Sequence, residues 1–149
     1  KRSDSISNCK TKVVFLHLIY KFTAMKKIIS TENAPKAIGP YSQAVMAGDT
    51  LYCSGQIAIN PKSGELNTAN ITTETNQVMQ NLEAVLKEAE MNFENVVKCS
   101  IFLKNIKQYA EINEVYSQYF RENPPAREAV EVSTLPKNVN IEISLIAVK

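Results

Sequence analysis

"QAVMAGDTLYCSGQIAI", residues 43–59, decides the fold. Gly48-Asp49 stands between two runs of apolar and β-branched residues, the pattern of a tight β-hairpin. Soon afterwards the period changes. Across residues 71–90, Val78, Leu82, Val85, Leu86 and Ala89 recur at helical spacing, with Glu83, Lys87, Glu88 and Glu90 on the other side. Asn70 is the expected N-cap of this helix.

Outward from that core, "KKIIS" (26–30) reads as a short strand. In "TENAPKAIGPYSQ" (31–43), Pro35, Gly39 and Pro40 forbid regular helix and force a turn or extended path. "NPKSG" (60–64) is a second turn and "NVVKCSIFLKN" (95–105) a long apolar strand. A second helix is expected over 107–121, with Tyr109, Ile112, Val115, Tyr116, Tyr119 and Phe120 along one stripe that reads as core rather than as a cofactor site. "REAVEVS" (127–133) and "VNIEISLIAV" (139–148) are expected to close the chain as two strands joined by a Leu-Pro-Lys-Asn turn. The order β-ββ-α-β-α-ββ is an α+β fold: one layer of sheet, with hairpins at both ends, under one layer of two helices. "VMAG", "LYCSGQIAI" and "ISLIAV" carry apolar residues on both strand faces, so the face away from the helices needs cover, and an oligomer is expected.

A chain of 149 residues with 44% hydrophobic content suits one domain that needs no disulfide or metal to hold it together. Cys9, Cys53 and Cys99 are scattered singly and the only histidine is His17, so no zinc-ligand cluster exists. Cysteines inside apolar segments fit small core residues of a reducing compartment. The formal charge of +2 reflects the first 24 residues, which hold five Lys/Arg and one Asp. Residues 25–149 carry 12 basic and 14 acidic side chains, a net of −2 that offers no footprint for nucleic acid or an anionic membrane. Residues 1–24 read as upstream or vector sequence outside the fold, with an organellar presequence as the alternative; "VVFLHLIY" (13–20) is too short to span a bilayer. The domain is therefore placed at 25–149 and expected in the cytoplasm, or in an organelle if the leader is a genuine presequence.

Several chemistries are excluded by residue type. Glycines occur only at 39, 48, 55 and 64, in no phosphate-cradling pattern, and with His17 outside the domain neither a Ser-His nor a Cys-His pair forms. Acid–base work falls to Glu, Tyr, Lys, Cys or backbone. Arg127, behind Pro-Pro-Ala at the mouth of an apolar strand, is either a strand-end residue paired with a nearby Glu or a fixed fork for a planar carboxylate. Glu142 shares a polar strand face with Asn140 and Ser144, either solvated or facing a cleft. Tyr41 is held by a Gly-Pro turn, and Ser54-Gly55 interrupts a strand where a bulge or a close ligand approach is expected.

"STENAPKAIGPYSQAV", "SGQIAINPKSGEL", "NLEAVLKEAE", "VVKCSIFLKN" and "PAREAVEVSTLPKNVNIEISLIAV" together resemble the RidA (YjgF) family of enamine/imine deaminases, over essentially all of residues 26–149. The resemblance implies a chorismate-mutase-like fold, a homotrimer with clefts between subunits, and neither metal nor organic cofactor. By position it makes Arg127 the anchor of the substrate carboxylate and Glu142 the acid beside the reacting carbon and its water. Tyr41 becomes a pocket aromatic, Ser54 and Gly55 supply polar and backbone contacts, and Asn113 is a further pocket residue. Three departures stand out: Ala129 where many members have cysteine, Ser144 where a second glutamate is common, and a short segment before Arg127 with Pro124 where an aromatic is frequent.

The substrates implied are 2-aminoacrylate and 2-aminocrotonate, which tautomerise to 2-imino acids and arise from pyridoxal-phosphate dehydratases acting on serine or threonine. A non-catalytic module binding small carboxylates is the rival reading. An endoribonuclease or translation-inhibitor role, attributed to some relatives, lacks a basic stripe interleaved with stacking aromatics.

Overall fold

The computed structural model describes residues 26–149, so the expectation for residues 1–24 lies outside the described part of the chain. Strands β1 (Lys27–Ile29), β2 (Ala44–Ala47) and β3 (Thr50–Gln56) are followed by helix α1 (Ile71–Glu88). Then come β4 (Val96–Leu103), α2 (Tyr109–Tyr119), β5 (Ala126–Glu131) and β6 (Ile141–Val148). Local signals act as expected. Asn70 caps α1 by accepting from the Thr73 N–H at 2.8 Å, and Gly48 takes a left-handed φ of 59° in the β2–β3 turn. The second helix opens later than its periodicity predicts, because a 3-10 turn at Ile106–Gln108 precedes α2.

The six strands lie in the order β1-β2-β3-β6-β4-β5. This corrects the expected closing hairpin. β6 inserts between β3 and β4, antiparallel to both, while β5 runs parallel to β4 at the sheet edge. The reason is in the burial each strand tolerates. "IEISLIAV" alternates buried and half-buried residues and suits a central position, whereas "AREAVE" carries three charges, which edges accept and centres do not. The β4-α2-β5 crossover makes those two strands parallel, and residues 132–140 then carry the chain across β4.

Both helices cover one face of the sheet. Val78, Met79, Leu82, Val85 and Leu86 of α1, with Ile112 and Tyr116 of α2, pack on Leu51, Cys99, Ile101, Ile143 and Leu145. The opposite face exposes Ile28, Tyr52 and Val130 by 40–50% each, so the sheet is apolar on both sides as its strands predict.

The helix layer also holds buried polar side chains that clamp loops. Asn81, 1% exposed, donates from Nδ2 to the carbonyls of Ile57 (2.9 Å) and Ile59 (3.0 Å) and accepts from Gln77. Replacing Asn81 by Ala strands the Ile59 carbonyl and leaves that of Ile57 with only the Ile59 N–H, so the unfolding free energy is expected to fall by about 1–3 kcal/mol in urea titrations.

Candidate functional site

The irregular segments beside β3 and β6 enclose a cavity of about 330 Å³ on the face away from the helices. Tyr41, Ser54, Gly55 and Glu142 line it, together with apolar walls that include Ile38 and Pro136. Each wall is tied to the core by one polar side chain. Gln43 accepts from the Thr31 N–H and donates to the carbonyls of Thr31, Ala34 and Pro35, holding the loop that leads to Tyr41. Asn81 holds Ile57 and Ile59. Glu74, fully buried, accepts from the Asn140 backbone and side-chain N–H groups, both at 2.7 Å, two residues before Glu142.

Glu142 is the chemically distinctive group here. Burial pushes its carboxyl above the ordinary glutamate range. Among the described residues nothing donates a hydrogen bond to it, and no ion pair neutralises it. Gly55 is explained by the same side chain: a Cβ there would stand 1.8 Å from Glu142 Oε1. The expected interruption is present as a register shift between Cys53 and Gln56, but the group crossing the glycine is Glu142 itself. Ser54 donates from Oγ to the Ser42 carbonyl at 2.7 Å, so its hydroxyl fastens the loop beside Tyr41.

Arg127 lies elsewhere. In β5 it is in register with Cys99, which faces the helices, whereas Glu142 is in register with Phe102, which faces away. Side chains alternate between faces, so the two groups stand on opposite sides of one sheet. Arg127, Asn113 and Ala129 gather beside α2 at the β5 edge, apart from the cavity. Nη1 of Arg127 donates to Asn113 Oδ1 at 2.9 Å, and Nη2 donates to the Tyr109 hydroxyl. The guanidinium carbon lies 4.7 Å from the Tyr116 ring centre and 5.4 Å from that of Tyr109.

The expected alternative, Arg127 paired with a nearby Glu, does not occur among the described residues. Neighbouring Glu128 is engaged by Lys98 and Ser100, whose hydrogen bonds hold its carboxyl below the ordinary range. Arg127 therefore has only neutral partners. Beneath it, burial raises the Cys99 thiol and the Tyr116 phenol, so neither supplies an anion. Among the described residues no group of three His, Cys, Asp or Glu side chains could hold a metal ion.

Sequence reasoning missed the supporting side chains Glu74, Asn81, Gln43 and Tyr109. The signal was present for two of them, since Glu74 and Asn81 fall on the apolar stripe of α1 at helical spacing from Val78 and Val85.

The fold and these two polar groupings define a small α+β protein with, among the described residues, a guanidinium without an ion pair on one face of its sheet and a carboxylate without one on the other. The model for Endoribonuclease L-PSP matches residues 31–149, and the chain belongs to this family, which is the RidA/YjgF family. A RutC family protein of Pyrococcus horikoshii is 52% identical over 125 residues, covering 84% of this chain and 99% of the relative. The human 2-iminobutanoate/2-iminopropanoate deaminase is 45% identical over 125 residues, covering 84% and 91%. Among solved structures, Escherichia coli TdcF with bound serine superposes with a TM-score of 0.79 at 38% identity, covering 83% of this chain and 98% of TdcF.

Proposed function

We propose that the protein hydrolyses reactive 2-imino acids, the tautomers of 2-aminoacrylate and 2-aminocrotonate, to 2-keto acids and ammonia. The observation that carries the reading is Arg127, a half-buried guanidinium oriented entirely by neutral partners, its charge left for an anion. The names of the human and bovine relatives, deaminases of the same substrate class, support it.

One chain holds Arg127 and Glu142 on opposite faces, so the working site joins Arg127, Asn113 and Ala129 of one copy to Tyr41, Ser54, Gly55 and Glu142 of the next. The contact joins different surfaces of neighbouring copies, and a closed ring such as a homotrimer satisfies it for every copy. It also covers apolar sheet surface that a lone chain exposes.

In the reaction Arg127 holds the substrate carboxylate, and the imine carbon sits near a water hydrogen-bonded to Glu142. Water oxygen bonds to that carbon while Glu142 accepts the water's proton and passes it to the imine nitrogen, giving the carbinolamine. The carbinolamine then collapses: Glu142 takes the hydroxyl proton and delivers it to the amine, the C–N bond breaks, ammonia leaves, and the C=O of the keto acid forms. Hydrolysis is already downhill in water, so positioning and modest charge stabilisation suffice.

The direct test couples a serine/threonine dehydratase to this protein and follows keto-acid release with and without it. Faster release with the protein is expected, and an unchanged rate rejects the reading in favour of a carboxylate-binding module. Gly55→Ala pushes the Glu142 carboxylate from its saddle and is expected to lower turnover roughly 10- to 100-fold in that assay, with an unchanged circular dichroism spectrum.

A further inference from the structure

We infer that Tyr109 is a positioning residue for Arg127, aligning the guanidinium for an incoming carboxylate without neutralising it. The inference rests on the reading of Arg127 as carboxylate anchor. It starts from the helix. Tyr109, Asn113 and Tyr116 occupy positions i, i+4 and i+7 of α2 and form one stripe against β5.

Arg127 comes from an edge strand, where its stem is free to sample several rotamers unless something orders its tip. Asn113 Oδ1 takes one terminal nitrogen, the Tyr109 hydroxyl takes the other, and the Tyr116 ring approaches the guanidinium carbon at 4.7 Å. Two bonds to different nitrogens and one aromatic contact restrict a planar group in every direction. They occupy two of its five N–H donors and leave three for a ligand.

The chemical identity of the acceptors matters as much as their geometry. A carboxylate at 109 would orient the guanidinium equally well but would satisfy its charge, and a second carboxylate would have to displace it. A phenol oxygen orients without competing. The aromatic stripe of α2 thus divides in two: Ile112, Val115 and Tyr116 are buried, whereas the half-exposed Tyr109 offers its oxygen to the arginine.

The test compares wild type with Tyr109→Phe, which keeps the ring and removes only the hydroxyl, and with Arg127→Ala. The probes are pyruvate and 2-oxobutanoate binding by calorimetry, and kcat and KM in the dehydratase-coupled assay. Tyr109→Phe is expected to raise Kd and KM together about tenfold, with kcat within about twofold of wild type, because the carboxylate grip is the same in ground and transition states. A purely structural role would shift Tm while leaving Kd untouched. Wild-type Kd in Tyr109→Phe, or tighter binding, overturns the inference; so does a fall confined to kcat.

The two readings separate cleanly. If Arg127→Ala binds the keto acids like wild type, the anchor fails and the role of Tyr109 fails with it. If Arg127→Ala loses binding and Tyr109→Phe does not, only the positioning role falls. If wild type binds keto acids but turns over no imine, the deaminase reading falls while the Kd comparison still decides Tyr109.

Discussion

Arg127→Ala is expected to lower kcat/KM for imine hydrolysis by about 10²–10³-fold while the protein stays folded and assembled. The size follows from what is removed. Truncating one member of a hydrogen-bonded charge pair costs about 2–5 kcal/mol, and each 1.4 kcal/mol is tenfold. The fold should survive because Arg127 stands on an edge strand, its guanidinium hydrogen-bonded to Asn113 and Tyr109, and the Tyr116 ring it approaches stays packed against Phe120 in the core. Coupled-assay kinetics beside size-exclusion and circular dichroism measurements decide the matter. Wild-type turnover in this variant would remove the anchor from the scheme.

Glu142→Gln separates chemistry from binding. Turnover is expected to fall about 10²–10⁴-fold, the usual contribution of a positioned acid–base group, while pyruvate affinity stays near wild type. Because burial raises the carboxyl of Glu142, the acid limb of the wild-type kcat/KM profile should lie above the ordinary value of 4.5. The same shift makes a stability prediction. Between the unfolded and folded pKa values the native state binds more protons, so this group's contribution is full below the unfolded value. It is lost as pH rises through the folded one. At neutral pH the wild type therefore bears the cost of a buried charge that glutamine avoids. Glu142→Gln should raise Tm near pH 7, and the gain should vanish near pH 4. An equal or lower Tm at pH 7 would show that the carboxylate is better solvated than its surroundings indicate.

These expectations and that for Gly55→Ala describe one design. Glu142 is held in the cavity by Glu74 acting through Asn140 and by a glycine that leaves it room. Arg127 is held at the edge by Asn113 and Tyr109. Neither group is neutralised by its supports.

Much of this was legible before any coordinates. The capped helix α1, the Gly48-Asp49 hairpin, the β4 run and the alternation that sets Glu142 apart from Ile141 and Ile143 all follow from periods of 3.6 and 2 and from turn chemistry. These act between residues close in the chain. Arg127 and Glu142 were likewise visible as charges in apolar strands. The pairing of the two closing strands was not, because "REAVEVS" and "VNIEISLIAV" satisfy a hairpin and a crossover equally well by local pattern. Only competition for the central position, won by the strand with fewer charges, sends β6 between β3 and β4.

The sequence alone thus determined the kinds of element and the chemical groups available, since backbone propensity and side-chain chemistry belong to each residue and its near neighbours. Tertiary structure alone decided that Arg127 and Glu142 face opposite ways. It also decided that Glu74, Gln43 and Asn81 are buried clamps rather than surface polar residues, and that a tyrosine from the core stripe orients the arginine. Each of these depends on which strand lies beside which and what covers it. That is a long-range outcome of packing, in which the burial of apolar surface outweighs any local preference.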